Sequence, residues 1–230
     1  MKLLFESQLF ILLLIFSCYL FGQWVFKRTQ IGLLHPLVIA IGIIILFLKI
    51  TGVSYEKFEH GSQLVSFMLG PSVVALGYVL YEQKKYLNGK AVSILTSVFI
   101  GSLTGIISVI ILARLIGVDD VLIMSLEPKS VTMPIAISIA EQSGGISSLT
   151  AVIVLYCGIF GSIAGPYVLK FLRIESQVAK GLAMGTSAHA VGTARAMEMG
   201  VIEGALSGLA IGLAGVMTAL LIPLVNQLLS

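Results

Sequence analysis

"GLAMGTSAHAVGTARAMEMG", Gly181 to Gly200, lies between two of the most apolar stretches of the chain, yet it holds His189 and Arg195 among glycines and small polar residues. It is too polar for an ordinary lipid-facing span. Gly185, Thr186, Ser187 and Gly192 predict an unwound middle between two half-helices. Interrupted backbone is tolerated at membrane depth only where protein buries it or a cavity receives it, so this stretch marks a site as well as a fold.

The surroundings make membrane depth the relevant setting. At 57% hydrophobic and 11% charged residues, with mean hydropathy +1.05, the chain lies outside the range of soluble globular proteins. Six uncharged runs approach or exceed the roughly 20 residues needed to cross a bilayer core. They are Ser7 to Phe26, Ile31 to Leu48, Gly61 to Tyr81, Ala91 to Ala113, Gln142 to Leu169 and Ala205 to Ser230. The runs are continuous rather than alternating, which predicts an all-α polytopic membrane protein instead of a barrel. No small-residue cleavage site precedes Phe21, Trp24 and Phe26, so the first run reads as a retained span. Cys18 and Cys157 both fall in apolar runs and read as small buried hydrophobes, not as a disulfide or metal site. The net charge of +3 is small and scattered, which argues against nucleic acid as a partner.

A second apolar segment is also interrupted. "VLIMSLEPKSVTMPIAISIA", Val121 to Ala140, contains Glu127 and Lys129, and Pro128 and Pro134 each remove a backbone donor. Internal similarity pairs "LGPSVVALG" (Leu69 to Gly77) with "MGTSAHAVG" (Met184 to Gly192) at an offset of 115, half the chain. The same offset carries the second run onto the fifth and the fourth onto the sixth. One membrane domain over 1–230, built from two repeats of approximately 1–115 and 116–230, is therefore expected. Basic loops at Lys27 and Arg28, at Lys84, Lys85 and Lys90, and at Lys170, Arg173 and Lys180 all face the cytoplasm only if the Val121 to Ala140 segment is re-entrant. That gives seven crossings and antiparallel halves, the inverted-repeat plan of many secondary transporters; a single crossing by that segment gives eight.

The ionisable residues in these two segments carry the functional reading. Ser130 or Thr132 can cap a half-helix, with Lys129 beside them to meet an anion. Lys129 near mid-membrane is costly, which favours function over snorkelling or structural pairing. Glu127 is either a proton-coupling group or only the counter-ion of Lys129. Thr186, Ser187 and His189 are expected along the unwound stretch, with Thr193 one turn further on. His189 can bind a carboxylate or relay a proton; its alternative is a neutral imidazole bonded to a neighbouring helix. Arg195 is either a bidentate carboxylate partner or a side chain reaching toward the interface. Gly204, Gly208 and Gly212, and Gly161 with Gly165, read as close-packing faces. No phosphate loop, metal cluster, cofactor loop or nucleophile–base pair is evident, so neither a nucleotide motor nor an enzyme is expected.

"PKSVTMPIA" (Pro128 to Ala136), "KGLAMGTSAHAVGTARAMEMG" (Lys180 to Gly200) and "GPSVVALGYVLYEQ" (Gly70 to Gln83) resemble the LrgB/CidB family, and the similarity runs over essentially the whole chain. The resemblance implies control of murein hydrolase activity and autolysis, an antiholin-like role, and a small LrgA/CidA-type membrane partner. It also implies kinship with the LrgB half of the plastidic glycolate/glycerate translocator, and a fold grouped with cation/proton antiporters and bile-acid symporters. Two readings follow. One is a carrier of small monocarboxylates such as pyruvate, glycolate or lactate in the cytoplasmic membrane, using Lys129, Ser130, Thr132, Thr186, Ser187, His189, Thr193 and Arg195, without a cofactor. The other is a holin- or antiholin-like regulator acting through homo-oligomers.

Overall fold

The computed structural model describes residues 7–29, 31, 34–87 and 89–229. Residues 32 and 33 of the second predicted span, and Ser230 at the end of the last, lie outside the described residues. The elements are α1 Gln8–Thr29, α2 Pro36–Thr51, α3 Tyr55–Gly61, α4 Gln63–Phe67, α5 Leu69–Glu82, a 3₁₀ turn Gln83–Leu87, α6 Ala91–Leu115, α7 Asp120–Leu126, α8 Met133–Ser143, α9 Ser147–Phe171, α10 Gln177–Met199 and α11 Val201–Leu229. Among the described residues there is no strand. Four helices among the described residues are long and apolar enough to cross a membrane: α1, α6, α9 and the Val201–Leu228 portion of α11. Shorter apolar helices occupy Pro36–Thr51 and Gln63–Tyr78. The chain is an all-helical polytopic membrane protein.

Contacts divide it into two compact units, Met1–Pro71 and Ser72–Ser230. In the first, His35 caps α2 by accepting the Leu37 N–H on Nδ1, and Pro36 opens the helix where its missing donor costs nothing. Gly22 lets α1 approach that start closely: a methyl group there would lie 2.6 Å from the Pro36 carbonyl oxygen. The third apolar run is not one helix. Ser62 ends α3, its N–H bonding to the Phe58 and Glu59 carbonyls and its hydroxyl to Glu59 as well, and the chain restarts as α4 and α5.

In the second unit α6, α10 and α11 share an apolar core built from Ile94, Val98, Leu182, Leu206 and Leu209. A second cluster, including Ile106, Ile110, Ile123, Ile139 and Ile222, ties α6 and α11 to α7 and α8. The helices α7 and α8, of 7 and 11 residues, are about 10 and 16 Å long and too short to cross a hydrocarbon core of about 30 Å. A turn over 127–131 joins them, as the prolines predicted. Pro134 itself sits in the first turn of α8, where proline is tolerated. The end of α7 is pinned from outside: Ser125 Oγ accepts the Ile146 N–H at 2.7 Å, and Thr150 Oγ1 donates to the Ser125 carbonyl at 2.9 Å.

The helix α10 is broken as expected, but at a narrower place. Departure from helical geometry is confined to Ala188 (φ −133°, ψ 18°) and His189 (φ 42°, ψ −137°). Gly185, predicted to unwind the segment, lies in regular helix and serves close packing instead. A methyl group on it would meet the Ser207 carbonyl oxygen of α11 at 2.3 Å, and one on Gly181 would meet the Glu203 carbonyl at 2.5 Å. Of the predicted packing faces, Gly161 lies against Ala188, Gly165 against Met184 and Gly204 against Met197. The two stretches paired by internal similarity differ locally: Leu69 to Gly77 lies in unbroken helix with open space at Gly70 and Gly77, whereas Met184 to Gly192 is kinked and tightly packed.

Gly185→Ala is expected to force α10 off α11, since backbone cannot yield as a side-chain tip does, at a cost on the order of 1–3 kcal/mol. A lower melting temperature of the purified protein in detergent checks this. Gly77→Ala, which meets open space, is the control and should melt as the parent does.

Candidate functional site

The two interruptions border one cavity of about 660 Å³. One wall is α6, where Ser93, Ser97, Gly101, Thr104 and Ser108 recur at offsets of about four and seven residues, a single helical stripe. The facing wall is the first half of α10, with Ala179, Ala183, Thr186 and Ser187. Lys129 and Ser130, from the turn between α7 and α8, complete the lining. The glycines of α6 open the space. A methyl group on Gly101 would come within 3.2 Å of Thr186 Cγ2, and one on Gly105 within 3.9 Å of Ser130 Oγ.

The chemistry of the lining is one fixed cation among hydroxyls. Lys129 is half-buried, and its Nζ donates to Ser130 Oγ at 3.0 Å. Because Ser130 accepts that bond, its own O–H can donate to a third group. The helix α8 begins three residues after Ser130, at Met133. Ser97, Ser108 and Ser187 instead donate back to carbonyls of their own helices, Ser93, Gly105 and Ala183. To bind an anion these hydroxyls must rotate away from the helix, so they suit passage more than tight capture. Thr186 and Ser187 stand at the carbonyl end of the first half of α10, not at a half-helix N-terminus.

Of the sequence-predicted residues, Lys129, Ser130, Thr186 and Ser187 come together in this cavity; the others are not in its lining. His189 is buried and directed at α9: Nε2 lies 2.8 Å from the Val154 carbonyl, which as an acceptor fixes the proton on that nitrogen. The ring rests on Gly158, where a methyl group would lie 2.4 Å from Cε1. Thr193 is buried, donating to the His189 carbonyl at 3.0 Å and bonded to Ser207 Oγ at 2.7 Å. Both act on the kink itself. Thr132 opens α8 and is buried, with no hydrogen bond from its hydroxyl. Arg195 is exposed and paired with Glu198 one turn along its own helix. Glu127 bonds to Asn226 of α11 and lines a different cavity from Lys129.

The hydroxyl stripe of α6 was missed, because Ala91 to Ala113 reads as a plain apolar span. The signal was present: Ser93, Ser97, Gly101, Thr104 and Ser108 form a small, polar face at helical period on an otherwise apolar helix.

The profile of the LrgB-like family matches residues 16–228. The chain is 39% identical over 215 residues to the uncharacterized protein YxaC of Bacillus subtilis (strain 168), covering 94% of each chain. It is 35% identical over 209 residues to the antiholin-like protein LrgB of the same strain, covering 90% of each. To the antiholin-like protein LrgB of Bacillus cereus (strain B4264) it is 35% identical over 207 residues, again 90% of each. No solved structure matches.

In a background with Cys18 and Cys157 replaced by serine, cysteines introduced singly at Ser93, Ser97 and Ser108 should react readily with a small charged thiol reagent. A cysteine at Ser102, buried on another face of α6, should react slowly. Equal rates at all four positions would mean that the stripe does not line an aqueous trench.

Proposed function

The chain belongs to the LrgB-like family, and from that membership together with the chemistry of the trench we propose that it is an antiholin-like membrane protein whose molecular activity is carriage of small monocarboxylates. The single observation behind the carrier reading is the shared cavity, in which one cation, Lys129, and the hydroxyl of Ser130, both from one helix break, face Thr186 and Ser187 beside the other. A half-buried ammonium in an apolar protein is costly unless an anion or another polar group uses it. One positive charge and a few hydroxyl donors suit a ligand with a single carboxylate and a small body, such as pyruvate, glycolate or lactate. Two-carboxylate ligands would leave one charge without a partner.

Two of the relatives are named antiholin-like, which favours the second reading; in it the role is regulation of murein hydrolase activity and autolysis. The two are compatible, since altered traffic of organic acids can change wall hydrolase activity without a hole in the membrane. In this proposal the basic loops face the cytoplasm and the chain sits in the cytoplasmic membrane. Its halves, 1–115 and 116–230, act as inverted repeats, and an LrgA/CidA-type protein is the partner.

Proteoliposomes holding the purified chain are expected to take up labelled pyruvate or glycolate saturably. Lys129→Ala should cut this by about tenfold or more, the worth of a lost charge-assisted hydrogen bond. Uptake unchanged by that substitution removes the proposed site, and release of a large trapped dye would favour a nonselective holin-like pore instead.

A further inference from the structure

The turn that carries Lys129 has a second face. Glu127, two residues earlier, is 4% exposed and lines a separate chamber of about 90 Å³ with Arg114, Asp120 and Asn226. The trench and the chamber share no lining residue, and Pro128, between the acid and the base, is fully buried. Along α6 the trench lining ends at Ser108 and the chamber lining begins at Ile110 and Arg114. At 1.5 Å per residue these lie about 3 to 9 Å further along the helix axis. One short turn thus presents a cation to one cavity and a carboxylate to another.

The partner of Glu127 suits a group that gains and loses a proton. Asn226 Nδ2 donates to Glu127 Oε2 at 3.0 Å; with the amide turned over, its carbonyl oxygen would accept from a neutral carboxylic acid. The same chamber suits a metal cation poorly. Its acids are Asp120 and Glu127, the amide presents a donor to Glu127, and Arg114 acts electrostatically on that carboxylate. The charged groups facing Glu127 are Arg114 from α6 and Asp120 from the start of α7, whose charges cancel, and Lys129 further along its own turn. From α11 comes neutral Asn226, and α8 and α9 contribute nothing to the chamber lining.

Charge neutrality then links the two cavities. With the trench empty, Glu127 and Lys129 sum to zero. A monocarboxylate on Lys129 leaves one net negative charge at membrane depth, where net charge is costly, and one proton on Glu127 restores zero. We propose that Glu127 is the proton-coupling residue, taking up a proton from the chamber when a monocarboxylate occupies the Lys129 trench, so that the protein is an electroneutral proton–monocarboxylate symporter. The inference rests on the carrier reading above. The step is a proton transfer: a hydronium ion from bulk solution breaks one O–H bond and becomes water as an O–H bond forms at the carboxylate of Glu127, and the reverse transfer to water on release regenerates the carboxylate, with no change of oxidation state.

Proteoliposomes of the full chain and labelled pyruvate test it, in two modes. In counterflow at equal pH the carrier only exchanges loaded forms; in net uptake under an inside-alkaline gradient the empty carrier must also return. Glu127→Gln keeps the shape and mimics the protonated acid. It should retain counterflow but lose gradient-driven accumulation, since its empty form carries the uncancelled charge of Lys129. Pyruvate binding to wild type should weaken on the order of tenfold when Glu127 becomes charged, the size of a like-charge repulsion in a partly buried site, while binding to the variant should not change with pH over that range. Should Glu127→Gln fail to fold, Asn226→Leu carries the test, with a displaced pH profile of net uptake expected. Counterflow and net uptake lost together in a folded Glu127→Gln, or accumulation still driven by the gradient, overturns the coupling role while leaving the carrier reading intact. Absence of saturable flux in wild type fails the carrier reading, and the coupling role with it.

Discussion

A polar backbone group at membrane depth must be satisfied by protein or by a cavity, and the second unit of this structure is organised around two places where the helix ladder stops. At the break in α10 the compensation is specific. His189 holds a positive φ of 42°, a conformation that costs on the order of 1–3 kcal/mol for a residue other than glycine. Its imidazole is anchored to the Val154 carbonyl, and its own carbonyl is taken by Thr193 Oγ1, which is tied in turn to Ser207. Gly158 is the counterpart on α9, because any larger residue would occupy the volume of the ring. At the other break, local turns do the work: Lys129 N–H reaches the Leu126 carbonyl and Val131 N–H the Pro128 carbonyl.

Once both breaks are fixed, α6 decides what lies between them. It is a full span, apolar toward the cores at Ile94, Val98, Ile106 and Ile110, yet small and hydroxylated toward the breaks. With leucine in place of Gly101 and Gly105, the space beside Thr186 and Ser130 would be filled by side chain. The same helix therefore supplies both stability and a polar route, on faces separated by a fraction of a turn.

Most of the fold was legible because length and hydropathy dominate in a membrane. The runs at Ser7, Ala91 and Ala205, and most of that at Gln142, became long helices, and each interruption falls inside the segment in which it was expected. What could not be read is what helical period hides when residues are small. Gly185 and Gly192 looked like unwinding signals, whereas Gly185 packs α10 on α11 and the kink sits at Ala188 and His189, which carry no backbone signal in the sequence. The site was half legible for a related reason. Lys129 is conspicuous in any apolar segment, but serines and glycines along α6 look like permissive packing until the facing helix is known. The direction of His189 depends on a glycine 31 positions away, a contact that no local pattern encodes.

The pairing of Glu127 with Asn226 and of Lys129 with Ser130 bears on the carrier role proposed above. A pore needs one continuous wet path, and its charged residues tend to face the same lumen. Here adjacent charges of opposite sign look into separate cavities, and buried Pro128 lies between them in sequence. Apolar Ile110 and Ile123, which pack in the α6–α7–α8–α11 cluster, line the chamber as well. Joining the two cavities would require that packing to rearrange, and a rearrangement that admits one end while closing the other is the physical difference between a carrier and a hole.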